Sequence, residues 1–348
     1  RNRQAMQIDQ TILVTGASGF IAKHIVLQLL DAGYRVRGSV RNATRADQVR
    51  AAMQVHLVDP NNLENRLIFA ALDLTTDSGW GLAMEGVDAV LHTASPFPMA
   101  QPDDQQVLIR PAVDGTLRAL RAAAAAGVNR VVLTSSVAAI NYGNPLPEIS
   151  VVTEDDWTDP ASPYASAYAR SKTLAERAAW EFVAKNSSMQ LTTINPSFVV
   201  GPPLDGHFGT SLAVMRRALR GKDPMVPQLM FDFVDVRDIA AMHVAALSNP
   251  ATIGERIIGS SGSMWFVDFA KVLKAAYPAR RIPTLQAPNL LIRVLARFDK
   301  PLQSIVPMLG KNITADNSKA RAILGMEFIP VEQAITDAAR YLVENGYA

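Results

Sequence analysis

A tyrosine and a lysine four residues apart, Tyr168 and Lys172, are the pair in this sequence whose types and spacing best suit chemistry. Four residues is close to one helical turn, so on a helix both side chains project from one face. The run from Ala161 to about Lys185 reads as one such helix. A phenol titrates at about 10 and is a poor acid or base at neutral pH. An ammonium one turn away favours the phenolate, so Lys172 is expected to lower the Tyr168 pKa. The pair can then give or take a proton at a carbonyl or alcohol oxygen. The spacing also arises by chance, and alone it reads as well as a surface tyrosine beside a solvated lysine. Two serines, Ser135 and Ser136, end an apolar run about one crossover earlier. A hydroxyl there could hydrogen-bond a substrate oxygen alongside Tyr168.

Proton chemistry at a carbonyl needs a hydride donor, and the start of the chain is built to hold one. Thr11 to Thr15 is a short β-branched strand, followed by Gly16-Ala-Ser18-Gly19-Phe20-Ile21-Ala22 and a helical run that stops at Gly33. Glycines in a strand-to-helix turn let a pyrophosphate approach the backbone, and the helix N-terminus offers it free N–H groups. The third position of the fingerprint is Ala22, small enough for close helix–strand packing. A second strand, Tyr34 to Arg41, ends on Arg41 with Arg45 close behind. An acid at that end would bind the ribose hydroxyl of NAD; a guanidinium suits the 2′-phosphate of NADP. Asp73, followed by Leu74, ends the third strand within reach of an adenine edge. The fourth ends in the small residues Thr93, Ala94 and Ser95, before Pro96-Phe97-Pro98. Small residues there admit a cofactor, since ligands of such sheets lie at the carboxyl ends of the strands.

A long alanine-rich helix over 104–126, a fifth strand over 130–136 and a sixth over 191–196 continue the alternation. Alternating strands and helices predict an α/β fold of Rossmann type, a doubly wound parallel sheet. Beyond Pro196 the alternation fails. Helical stretches recur at 211–220, 236–247, 267–276 and 331–345, with extended pieces at 231–234 and 256–258. The expected organisation is a dinucleotide-binding domain over 8–195, to which 233–260 returns. A smaller, mostly helical substrate lobe is then expected from 196–232 and 261–348.

Composition excludes several classes. With 348 residues, 49% hydrophobic and 19% charged, the chain can bury a substantial core. A net charge of +2 points to no nucleic-acid partner. The absence of cysteine excludes disulfides, thiolate metal sites and cysteine nucleophiles. The five histidines are scattered without paired ligand spacing, so no metal is expected. No apolar run is long enough to span a membrane, and Arg1 to Gln7 do not form a secretory signal. A cytoplasmic monomer or homodimer acting on a small molecule is the expectation.

Taken together, Thr15-Gly-Ala-Ser-Gly-Phe-Ile-Ala22, Asp73-Leu74, Leu91-His-Thr-Ala-Ser-Pro-Phe97, Thr134-Ser-Ser136, Tyr168-x-x-x-Lys172, Asn195-Pro196 with Gly201-Pro202, and Phe233-Val-Asp-Val-Arg-Asp238 resemble the extended short-chain dehydrogenases/reductases. Within that group the chain looks like the dihydroflavonol 4-reductase branch, above all its microbial methylglyoxal-type aldehyde and ketone reductases. The resemblance implies an NADPH-dependent carbonyl reductase. In it Ser136, rather than Ser135, is the catalytic serine, Tyr168 the proton donor, and Lys172 the residue that holds the nicotinamide ribose. It also implies cofactor contacts at Thr134, Pro196, Phe198 and Val199, and substrate contacts at Phe97, Asn141 and Tyr142. Other chemistries on this fold stay open: a nucleotide-sugar epimerase or dehydratase, or a hydroxysteroid dehydrogenase. So does a cofactor-sensing protein without turnover, although that would have no need of Ser136, Tyr168 and Lys172 together.

Overall fold

The structure, a computed structural model, describes residues 10–95 and 104–348. Among them, seven strands form one parallel sheet: β1 (Thr11–Thr15), β2 (Arg35–Val40), β3 (Leu67–Ala71), β4 (Ala89–His92), β5 (Arg130–Thr134), β7 (Gln190–Pro196) and β10 (Arg256–Gly259). Their order across the sheet is β3-β2-β1-β4-β5-β7-β10, with every neighbouring pair parallel. Parallel pairing sends all seven carboxyl ends to one edge. The order reverses between β1 and β4, which opens a crevice there.

Both faces are covered, as an all-parallel sheet requires. On one face α1 (Phe20–Asp31) and α2 (Ala43–His56) pack with α8 (Val236–Ser248) over Ile12, Val14, Val132 and Ile194. On the other, α4 (Trp80–Met84), α5 (Gln106–Ala125) and α6 (Ala167–Ala184) cover Leu13, Val90, Val131 and Leu191. A one-turn α3 (Leu63–Arg66) leads into β3.

Helix α6 begins at Ala167, six residues later than the expected start at Ala161. Ser162 and Pro163 belong to a turn, and Ser166 caps the helix by accepting from the Ala169 N–H at 3.1 Å. Such a cap satisfies one of the donors a helix start leaves unpaired. Tyr168 is therefore the second helical residue, at the end of α6 that meets the carboxyl edge of the sheet.

The second lobe contains α7 (Thr210–Leu219), α9 (Phe266–Ala276), α10 (Asn289–Leu295), α11 (Lys300–Ile305) and α13 (Val331–Glu344), whereas α12 (Ser318–Leu324) packs with α8 into the core of the main sheet. The lobe is less purely helical than expected. A three-stranded sheet joins β8 (Phe198–Val200), β9 (Met230–Asp235) and β11 (Gly262–Trp265), and β6 (Ile149–Val152) pairs with β12 (Asn312–Ala315). Of these, β9 is the extended piece expected at 231–234; the others are short and their partners lie far away in sequence, so periodicity did not disclose them. Of the stretch 233–260, α8 and β10 return to the main sheet, whereas β9 stays with the small one.

The two parts are joined through α1 and the end of α2. Lys23 is buried, pairs with Asp205 and donates to the His207 carbonyl at 2.8 Å. His24 Nε2 lies 3.0 Å from the Pro202 carbonyl, and His56 Nε2 lies 3.0 Å from that of Leu204. The segment after β8 is thus fastened to the helix that follows the glycine turn and to the end of α2.

Close packing behind that turn depends on Gly38 in β2. A Cβ there would stand 2.8 Å from the Ala17 Cβ and 3.0 Å from the Phe69 ring. Gly38→Ala should cost about 1–3 kcal/mol, the usual penalty of overpacking. Urea denaturation checks this, and an unchanged midpoint contradicts it.

Candidate active site

The turn after β1 is held by its neighbours rather than by its own side chains. Ala17 N–H donates to the Ser39 carbonyl at 2.9 Å, and Gly16 N–H donates to Ser39 Oγ at 3.0 Å. Gly16 has φ +64, and a Cβ there would sit 3.0 Å from Ala94 Cα, so β4 could not approach. Thr15 Oγ1 locks that approach by accepting from the Thr93 and Ala94 N–H groups, both at 3.1 Å. With its acceptor sites so filled, the Thr15 hydroxyl directs its proton to His92 Nδ1, 2.8 Å away. His92 is buried, and burial drops its pKa to about 3. It is therefore the neutral tautomer with its proton on Nε2, and that atom has no partner among the described residues.

The cradle fits the pyrophosphate of a dinucleotide. Gly19 occupies the N-cap of α1 and brings no capping side chain, so the first helical N–H groups stay open to an anion. Ser18, Phe20 and Ile21 surround this start. Phe20 packs against both the sheet core and the core of the second lobe. Arg41 follows directly on β2 and is exposed, within electrostatic reach of Asp73. Asp73 lies two residues beyond β3 and accepts from the Thr75 hydroxyl and N–H, which hold its carboxyl below the usual range. Leu74 packs on Gly115 of α5, and its carbonyl accepts from Arg118.

Across the crevice, Ser136 is the hydroxyl close enough to the Tyr168 phenol to act on its pKa. Ser136 ends the β5 segment and its Oγ accepts the Ala138 N–H at 3.1 Å. Ser135 faces the other way: its hydroxyl donates to the Glu176 carboxylate. The adjacent serines therefore differ in what they can reach. Lys172 Nζ stands 5.9 Å from the centroid of the Tyr168 ring. The expected lowering of the Tyr168 pKa does not occur. Burial pushes this phenol up to about 12, with the Ser136 hydroxyl working against it. Lys172 itself is buried, and burial lowers it to about 8 against the opposing charge of Glu176. Desolvation outweighs the pair's mutual help because both groups sit in the same poorly hydrated place. Lys172 also lines a small cavity with Ala94, Ser95, Thr134 and Glu176, which brings α6 to the ends of β4 and β5.

The sequence matches a family model described as the NAD dependent epimerase/dehydratase family over residues 12–258. The chain belongs to this family. Cinnamoyl-CoA reductase 2 of Arabidopsis thaliana is 33% identical over 346 residues, covering 98% of this chain and 95% of that protein. Among solved structures, yeast methylglyoxal/isovaleraldehyde reductase Gre2 complexed with NADPH is 30% identical, with a TM-score of 0.79 over 97% of this chain and all of that one (100%). Vestitone reductase from alfalfa (Medicago sativa) is 25% identical, with a TM-score of 0.74, covering 97% and 99%.

The remaining expected residues divide. Asn141 and Tyr142 follow the turn after Ser136; Tyr142 lies within electrostatic reach of Tyr168, and Asn141 Oδ1 is buried without a partner among the described residues. Pro196 ends β7 and Val199 is buried in β8. Phe198 packs into a phenylalanine cluster, tilted against Phe231 at 5.4 Å and edge-on to Phe233 at 5.5 Å between ring centroids. Thr134 directs its hydroxyl away from the site, to His243 Nε2 on α8 at 2.7 Å. His243 Nδ1 donates to the Ile239 carbonyl and burial holds this ring neutral, near 4, so Nε2 accepts. Phe97 lies outside the described residues. Sequence reading had assigned no role to Thr15, His92, Glu176 or Asn195, which hold the site from behind. Glu176 had a visible signal, since it stands one further turn along the face of Tyr168 and Lys172.

Thr15→Val should leave the Thr93 and Ala94 N–H groups without their acceptor. An unpaired buried donor costs about 1–3 kcal/mol, so a loss of about 2 kcal/mol or more is expected in urea denaturation. A variant as stable as the parent would show that these bonds do not hold β4 to the turn.

Proposed function

We propose that this protein reduces the carbonyl group of a small aldehyde or ketone, with Tyr168 giving the proton to the oxygen. The broad class is firm: it is an NADP-dependent oxidoreductase of the extended short-chain type, and carbonyl reduction is its chemistry. The observation that carries the finer reading is the pair of neighbouring Ser136 and Tyr168 hydroxyls, one turn from a buried Lys172, across the crevice from the open end of α1.

The bound nicotinamide supplies the hydride, and the chain's own groups handle charge and protons. The open N–H groups at the start of α1 would hold the pyrophosphate, and Arg41 the 2′-phosphate. Hydride addition leaves negative charge on the carbonyl oxygen. The Ser136 and Tyr168 hydroxyls are the donors for that charge. A phenol held near 12 keeps its proton throughout the neutral range, which suits it to give that proton to a developing alkoxide. Lys172, buried one turn away, offsets the tyrosinate left behind.

Asn141 and Tyr142 would stand on the substrate side, the orphaned Asn141 Oδ1 being an acceptor for a substrate hydroxyl. Residues up to 195, with α8, β10 and α12, would form the cofactor unit, and the rest after 196 the substrate lobe. The return of β10 to the edge of the main sheet supports this division. An exposed guanidinium at Arg41, where an NAD-loaded epimerase would carry an acid, favours a reductase that exchanges NADPH over the epimerase reading.

Oxidation of NADPH in the presence of small aldehydes, α-dicarbonyls and aryl ketones, followed by absorbance, tests the reading. Tyr168→Phe should lose at least about a hundredfold in kcat, the contribution of a positioned general acid. Near-normal turnover would remove Tyr168 from the mechanism. Arg41→Ala should raise the Kd of NADPH by roughly tenfold or more while leaving that of NADH within about twofold, because only the former has a phosphate there. Equal weakening of both overturns the assignment.

A further inference from the structure

We propose that Glu176 is a positioning residue for the reduction: its buried carboxylate holds the Ser136 backbone in place through Asn195 and is the countercharge to Lys172. This rests on the reading of Ser136, Tyr168 and Lys172 given above.

Glu176 is 1% exposed on α6, one turn beyond Lys172. Its Oε2 accepts from the Ser135 hydroxyl and from Asn195 Nδ2 at 2.9 Å. Its Oε1 accepts from Arg256 Nε at 2.6 Å and Trp180 Nε1 at 3.3 Å, with the Thr193 hydroxyl 3.2 Å away. A carboxylate has about four acceptor sites, so these donors saturate it and fix its plane. Asn195 Nδ2 also reaches the Ser136 carbonyl at 3.2 Å. The chain of contacts thus runs from Glu176 through Asn195 to the residue whose hydroxyl neighbours Tyr168.

Arg256 closes the network on its far side. Its guanidinium lies 3.6 Å over the Trp157 ring and donates to the Glu154 and Asp156 carbonyls at 2.6 and 2.7 Å. A buried ion pair of this kind contributes little to stability by itself, and its use is commonly to fix one arrangement. Here the arrangement fixed is the register of α6 against β5, β7 and β10.

The titratable groups facing Lys172 are few. Tyr168 and Glu176 come from its own helix, with Tyr142 beyond Tyr168. His92 comes from β4 and is held neutral by burial. Thr116 from α5 and Ser95 line the same small cavity and carry no charge. Arg256 lies on the opposite side of the Glu176 carboxylate. Glu176 is therefore the one anion that supports the ammonium form of Lys172 among the described residues.

The experiment is the pH dependence of kcat at saturating NADPH for the parent, Glu176→Gln and Asn195→Ala. The parent should lose rate above about pH 8 as Lys172 gives up its proton. Glu176→Gln removes the charge, so this alkaline limb should move down by at least about one pH unit. Asn195→Ala cuts the link to Ser136 and keeps the charge: kcat should fall roughly tenfold or more with the limb unmoved. A purely structural Glu176 would lower the melting temperature and leave the limb in place. An unshifted limb in Glu176→Gln, or an equal shift in Asn195→Ala, overturns the proposal. If Glu176→Gln does not fold, Glu176→Asp keeps the charge with a shorter reach. It should lower kcat with the limb retained, and a parental kcat there overturns the positioning role. Tyr168→Phe in the same assay separates the two readings. Surviving turnover removes the reduction mechanism itself, whereas an inactive Tyr168→Phe beside an unaltered Glu176→Gln removes only the role of Glu176.

Discussion

The site depends first on a buried carboxylate that cannot be left alone. Glu176 is closed off from water, and an unpaired charge there would be several kilocalories too costly to keep. Arg256, Ser135 and Asn195 converge on it because the parallel sheet brings the ends of β5, β7 and the start of β10 under the same face of α6, and Trp180 reaches it from the next turn of α6 itself. Once that contact is made, α6 can neither slide nor rotate on the sheet. Tyr168 and Lys172, two and one turns earlier on the same face, inherit their places from it.

The opposite wall of the crevice obeys a steric constraint. The β4 end lies against Gly16 so closely that a single Cβ would not fit, and Thr15 holds it there with two backbone hydrogen bonds. His92 completes this side as a neutral ring whose tautomer is dictated by the Thr15 hydroxyl. A dinucleotide lying across the switch point between β1 and β4 would then touch a surface made mostly of backbone and small side chains. Such a surface is rigid, and rigidity is what lets a weak set of donors select a charged ligand.

Burial also decides the direction of the proton chemistry. Tyr168 pushed to about 12 and Lys172 lowered to about 8 are a proton-holding acid and an easily discharged cation. Both shifts come from desolvation, which penalises whichever form is charged. Spacing alone suggested the reverse for the tyrosine, since it registers the neighbouring ammonium and cannot register the loss of water.

What the sequence by itself determined is local and covalent. The glycine turn between a strand and a helix, the alternation of strands and helices up to Pro196, and the i, i+4 relation of Tyr168 and Lys172 were all legible, because each is set by backbone geometry within a few residues. The start of α6 was misread by six residues, since the Ser166 cap competes with a helical pattern that extends further back. Tertiary structure decided what requires distant partners: that Ser135 turns to Glu176, that Thr134 turns to His243 on α8, and that β6 pairs with β12. It also decided the protonation of the site. Hydrogen-bond direction and desolvation are properties of the assembled interior, and no spacing along the chain encodes them.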